Sequence, residues 1–406
     1  SHLCVNSCLV WRKNCDMWNL AFRAASLAEA LRDGNARVRA AAARELGKMG
    51  YAAAPHIREL ATALKDVDAL VRWSAAEAHL MLGDVALPHA GLLAASLRDS
   101  DEGVRLAAAG ALRCMGHSAA PYAGALAQAL GDSDACVRWT AAEAFGMMGS
   151  GAATRHAEVL AVCLSDPDAA VRRAAAKALL AAAGALQPMC GGAHTKGLAQ
   201  AMQDEDPWVR GTAAQVLGAV GSDAAPDAAA LVQATLSDKD VWVRTVAADA
   251  LRSIGPAAVP HIAVLADALA DESLDVRMAA VAAFGAIGPL AAPHGADLAR
   301  LCLDSELPLR RAAASALRTL GAAAAPHSSL IAEALADDDV RVRRSVVAIL
   351  AAVGDAASPR ALALALRDSD ARVRRAASKA LQRLEPPALP HESEVLGDIV
   401  RRESDS

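Results

Sequence analysis

Residues 132–146 read DSDACVRWTAAEAFG. The stretch matters because the chain repeats it. The dipeptide Val-Arg, once Leu-Arg, places arginine at 39, 72, 105, 138, 172, 210, 244, 277, 310, 343 and 374. Successive spacings are 33, 33, 33, 34, 38, 34, 33, 33, 33 and 31 residues. An aspartate stands six residues before each: Asp33, Asp66, Asp99, Asp132, Asp166, Asp204, Asp238, Asp271, Asp304, Asp337 and Asp368. Self-similarity at a steady period is the mark of a repeat architecture.

Residues 55–83 show the mechanics of one unit. Pro55 suits the first turn of a helix, where a missing N–H costs nothing. Ile57, Leu60, Ala61 and Leu64 then recur at helical spacing. Lys65-Asp66-Val67-Asp68 predicts a tight polar turn, with Asp68 as the N-cap of a second helix. Val71, Ala75, Ala78 and Leu82 form that helix's apolar stripe, and Gly83 ends it as a left-handed residue. The same grammar recurs at Pro88, Pro121, Pro226, Pro260, Pro293 and Pro326. A pair of helices of roughly 11–14 residues each is too small to bury its own core, so the pairs must stack. The recurrent acid and base predict a ladder of charge-assisted bonds between neighbouring turns, represented by Asp66, Arg72, Asp99, Arg105, Asp132 and Arg138. Taken as exposed, each bond is worth about 0.5–1 kcal/mol and sets register more than stability.

Composition agrees with this. Hydrophobic residues make up 54% of the chain but aromatics only 3%, and alanine, the best helix former, supplies much of the difference. A net charge of −5 gives no whole-chain affinity for nucleic acid or anionic membrane. No apolar run reaches the ~18–20 residues of a spanning helix, so membrane insertion is not expected. Of the eight cysteines, Cys4, Cys8 and Cys15 lie near the start with His2, without Cys-x-x-Cys spacing. The other five are scattered at unlike repeat positions. That is no disulfide framework, and it fits a reducing, intracellular and cytoplasmic setting.

The pattern Asp-x-Asp-x-x-Val-Arg-x-x-Ala-Ala-x-Ala-Leu-Gly, met at 132–146 with Phe145 in the leucine place, resembles the HEAT-repeat family. It is similar in particular to the short HEAT-like repeats also found in phycobilisome lyases. The resemblance covers roughly residues 24–384. It implies an all-α fold, an α-solenoid of about eleven stacked helix pairs. The expected organisation is a non-repeat segment over 1–23 and solenoid segments over 24–180 and 198–384. An irregular joint is expected over 181–197, where the spacing reaches 38, and a capping helix with a polar tail over 385–406. The family includes phosphatase scaffolds, transport receptors, chromatin factors and a few enzymes, so fold alone does not choose a function.

Several features are weighed as chemistry. His56, His89, His156, His194, His261, His294 and His327 form a column, one per repeat. Metal donors must meet at one ion, whereas stacked helices sit ~8–10 Å apart, so the column predicts a local role at the start of each first helix. Deoxyhypusine hydroxylase-like HEAT proteins hold two irons with repeated His-Glu pairs. This chain has one, His391-Glu392. There is no GxxxxGK[ST] loop and no G-x-S-x-G elbow. No catalytic, cofactor or metal residues are therefore expected.

The second helices vary where the fold does not fix them. Trp73 and Trp139 share one repeat position, with Glu77 and Glu143 four residues on, and Trp208 and Trp242 stand just before the repeat valine. Tryptophan is enriched at binding hot spots, but a ring can equally cover an alanine-lined groove, and both readings stay open. Arg311, Arg344 and Arg375 belong to a basic run in the last three repeats. They are free to meet an acidic protein or a nucleic acid phosphate, although Asp337, Asp338, Asp339, Asp368 and Asp370 dilute the field. The function expected is a non-enzymatic scaffold or adaptor that grips a protein along its concave, second-helix face. The alternatives are a bilin lyase-type, chromophore-handling protein, which needs a pocket with converging polar groups, and a nucleic-acid binder using the Arg-rich C-terminal repeats.

Overall fold

The computed structural model describes residues 19–186, 193–222, 231, 234, 238–354 and 358–383. Expectations for the ends and for the N-terminal cysteines and His2 lie outside these residues. Among the described residues all regular structure is helical. Two compact units divide at Val216 and Leu217. The second helices, one per repeat, are numbered here α1 (Ala36–Lys48), α2 (Ala69–Leu82), α3 (Glu102–Cys114), α4 (Ala135–Met148), α5 (Ala169–Leu186), α6 (Pro207–Val220), α7 (Val241–Ile254), α8 (Leu274–Ile287), α9 (Leu307–Leu320), α10 (Val340–Val353) and α11 (Ala371–Arg383).

These helices start where short polar side chains can satisfy free amides. The side chains of Asn35, Asp68, Asp101, Asp134, Asp240 and Asp339 each accept from an amide of the first turn. Gly83 ends α2 with φ 54° and ψ −124°, and Gly255 ends α7 with φ 62°. Both have positive φ, but their ψ lies away from the left-handed helical region, and glycine alone reaches that conformation without strain. The core is layered. Seven residues after most ladder arginines a large apolar side chain is buried, as at Leu46, Leu112, Phe145, Leu179, Leu251, Phe284, Leu317 and Leu350. Alanine and glycine between these layers let helices approach closely. A Cβ on Gly47 would fall 2.7 Å from Ala78 Cα.

In six repeats the first element departs from the expected single helix. Gly50–His56 is a 3-10 helix containing Pro55, and the α-helix, Ile57–Ala63, follows it. The same break recurs at Gly83–His89, Gly116–Tyr122, Gly255–His261, Gly288–His294 and Gly321–His327. Proline donates no hydrogen bond and disfavours α geometry in the residue before it, so the tighter winding persists up to the proline.

The joint expected over 181–197 is in part regular. The alanine-rich run carries α5 to Leu186, and a helix spans Ala193–Ala201. Helix also covers 19–30. The expectation that no stretch could span a membrane needs correction. Ala69–Ser96, Val241–Ala270 and Leu274–Leu301 are long and apolar enough by length and composition. Alanine supplies the apolar count, and each stretch is interrupted by a positive-φ glycine, at 83, 255 and 288.

Candidate functional site

The ladder is the most regular polar feature. Arg72 Nε and Nη2 donate to both carboxylate oxygens of Asp99, one repeat on, at 2.7 and 2.9 Å. Its Nη1 donates to the carbonyls of Asp66 and Val67 in its own turn. Asp99 also accepts the amide of Asp101. One guanidinium thus clips two turns together. In the first unit the pairs are Arg39–Asp66, Arg72–Asp99, Arg105–Asp132, Arg138–Asp166 and Arg172–Asp204. In the second they are Arg244–Asp271, Arg310–Asp337 and Arg343–Asp368.

These side chains are largely buried and not exposed as expected. Arg105 and Asp132 keep only 14% and 8% exposure. Such pairs lose more when one partner is removed than a surface pair does. The hydrogen bond from Arg39 holds the Asp66 carboxyl below the usual carboxylate range. At Asp99, Asp132 and Asp166 burial pushes the other way, but the arginine bond and the amide two residues on outweigh it. Arg277 is different. It donates to the carbonyls of Asp271 and Glu272, but among the described residues it has no carboxylate partner. Its buried Nε is unpaired.

The tryptophans do not behave alike. Trp73 on α2 is half-buried and lies against Gly103 of α3, where an added Cβ would come within 3.2 Å of its ring. It covers a glycine. Trp139 on α4 stays 36% exposed, and the Arg113 guanidinium sits 5.7 Å from its ring centroid, a cation–π contact. Glu143, one turn on, meets Lys177 of α5 at 3.3 Å. Glu77 leaves one buried carboxylate oxygen unpaired. The neighbouring α2, α3, α4 and α5 therefore carry a strip of mixed aromatic and charged groups. Trp208 and Trp242, 37% and 38% exposed, stand in the first turns of α6 and α7. Their amides bond to Asp206 and Asp240.

Arg311 is not free as expected, because it pairs with Asp339, the N-cap of α10 on the next repeat. Arg344 and Arg375 are exposed and form no ion pair among the described residues.

The histidine column has a local role where it is described. His56, His89, His261, His294 and His327 each close a 3-10 segment with φ between −112° and −104°. The His156 ring packs on Phe145 and the His294 ring on Phe284, with centroids 5.4 and 5.6 Å apart. The side chain of His194 lies outside the described residues. Among the described residues no three His, Cys, Asp or Glu side chains converge as metal ligands would. Two shallow, open hollows occur in the second unit, one along Ala332–Asp368 and one along Thr245–Pro308. Arg113, Gly103 and His79 were missed in the sequence, since the importance of each rests on a neighbour one repeat or one helix away.

Comparison with known proteins gives a family. A family model described as HEAT repeats matches residues 24–113, 90–180, 125–195, 157–252, 195–285, 228–318 and 328–406. No curated protein matches the chain. An engineered protein solved by the Northeast Structural Genomics Consortium superposes with a TM-score of 0.56 at 20% identity, covering 90% of this chain and 100% of its own. A second engineered protein from the same consortium covers 48% of this chain and 98% of its own, at 23% identity and a TM-score of 0.41. The first likeness shows the fold alone.

Proposed function

The chain belongs to the HEAT-repeat family, and from that premise we propose that it is a non-catalytic scaffold or adaptor whose second-helix face holds a protein partner. Repeat stacks build their cores from constant positions and leave helix faces free to vary. The observation that carries the proposal is Trp139, more than a third exposed beside Arg113 and the Glu143–Lys177 pair. A large ring held by a cation and ringed by charge is the make-up of an interface anchor. Trp73 supports the strip and is not an anchor, because its ring is already spent on Gly103.

The test separates anchoring from packing. Trp139→Ala should weaken capture of the native partner about thirtyfold, some 2 kcal/mol, and leave the melting temperature nearly unchanged. Trp73→Ala should lower the melting temperature and affect capture little. Cys136, exposed one turn before Trp139, gives a second readout, since bound partner should shield it from maleimide. A Trp139→Ala protein that melts early and keeps its partner would overturn the proposal.

A further inference from the structure

The last two second helices carry a concentration of positive charge that the fold does not use. Arg341 and Arg344 on α10, and Arg372, Arg375 and Lys379 on α11, are exposed. Among the described residues none of the five forms an ion pair. The acids that dilute them in the sequence are occupied. Asp337 and Asp368 are rungs of the ladder. Asp339 caps α10 and binds Arg311. Asp370 caps α11 through the amides of Arg372 and Val373. Of these five acids, Asp338 alone is an exposed carboxylate without a partner among the described residues. All four arginines also stand in or next to a first helical turn, where the helix dipole disfavours a cation. Fold stability does not account for that placement.

We infer that this face of α10 and α11 is a docking surface for an acidic segment of a partner protein. The inference goes beyond the tryptophan strip, which lies in the other unit, and it stands or falls separately. Arginine predominates four to one, and its planar fork suits carboxylates. Within each helix the cations are one turn apart, about 5 Å, and packed helices lie roughly 8–10 Å apart. Carboxylates on alternate residues of an extended chain are about 6.6 Å apart, so a short acidic stretch can meet both helices at once. The basic field is local. On α9, Arg311 is neutralised, and α8 presents Asp275. A nucleic acid fits less well. No Phe, Trp or Tyr follows Phe284 to stack on bases, and a duplex extending toward α8 would meet Asp275.

The experiment uses the full chain and a fluorescent peptide of alternating glutamate and serine, followed by anisotropy at low salt. Binding should be present and should weaken as salt rises. Arg344→Glu with Arg375→Glu should abolish it at least tenfold, and Arg344→Lys with Arg375→Lys should largely keep it. Arg32→Glu with Arg37→Glu, exposed residues of the first unit with the same charge change, should leave it intact, as should Trp139→Ala. Circular dichroism confirms that each variant is folded. Three results would overturn the inference: no peptide binding, equal loss in the Arg32/Arg37 variant, or tighter binding of a DNA duplex than of the peptide through the same arginines. Loss of native-partner capture in Trp139→Ala alone bears only on the earlier proposal.

Discussion

His79 occupies the place that Leu46, Leu112 and Phe145 fill in neighbouring repeats. It is completely buried. Its Nδ1 lies 2.7 Å from the Ala75 carbonyl and so carries the proton, while Nε2 is buried with no partner. Burial pushes its pKa from 6.5 down to about 4, and His89 nearby disfavours the charged form further. The sign follows from linkage. Between pH 6.5 and about 4 the unfolded chain binds a proton that the folded chain refuses. Stability is therefore full above pH 6.5 and declines as pH falls to about 4, by about 3 kcal/mol in all. His79→Leu should remove that decline and add about 1 kcal/mol at neutral pH, since an unpaired buried nitrogen is exchanged for a methyl group. Urea melts at neutral pH and just above pH 4 measure both. An unchanged pH slope in the variant would show that the site does not control it.

At the scale of elements, one rung can be isolated. Arg138 binds both oxygens of Asp166 at 2.7 and 2.9 Å and the carbonyls of Asp132 and Ser133 at 2.9 and 3.1 Å. Arg138→Ala should cost about 2 kcal/mol, and Arg138→Lys should not restore it, because a point charge cannot serve four acceptors in a plane. Hydrogen exchange should quicken in the turns before α4 and α5 and stay unchanged in α1. Uniform loss of protection along the first unit would contradict a local rung. The second helices were legible in the sequence because their determinants are local, in the capping aspartate, the apolar stripe and the closing glycine. The broken first elements were not, because proline reads in the sequence as the first turn of one helix and not as the end of a tighter 3-10 turn, and close approaches across repeats were not legible at all. A Cβ on Gly295, for example, would collide with the His327 ring of the next repeat. The site shows the same limit. Trp73 and Trp139 share one motif, but Trp73 faces a glycine at 103, while the equivalent residue opposite Trp139 is Ala170. That methyl leaves less room for a ring to settle. A motif specifies where a ring starts, and the neighbouring repeat decides whether it is buried.

For the whole molecule, stability in a stack is close to a sum of contacts between adjacent repeats, so the distribution of rungs matters. The first unit holds five consecutive rungs from Arg39 to Asp204. In the second, the step from α8 to α9 lacks one among the described residues, because Arg277 does not reach a carboxylate. Ser273 and Glu306, before α8 and α9, also form no side-chain cap. The rung aspartates Asp66, Asp99, Asp132, Asp166, Asp271 and Asp368 all have lowered pKa values, and Asp339 is lowered to about 2. A depressed carboxylate contributes stability that is complete above its unfolded value, near 4, and is lost as pH falls through the folded value. The acid loss from the rungs thus begins below pH 4, under the window of His79, and His79→Leu should not alter it. Hydrogen exchange at neutral pH should find the turn leading into α9 less protected than the turn leading into α3. Lowering the pH from 4 toward 2 should cut protection at the α3 turn much more, since that turn has a rung to lose, and the two should converge. Equal protection of both turns at neutral pH would mean that the rungs contribute little. A gap that persists at the acid end would mean that packing, and not the ladder, sets the difference.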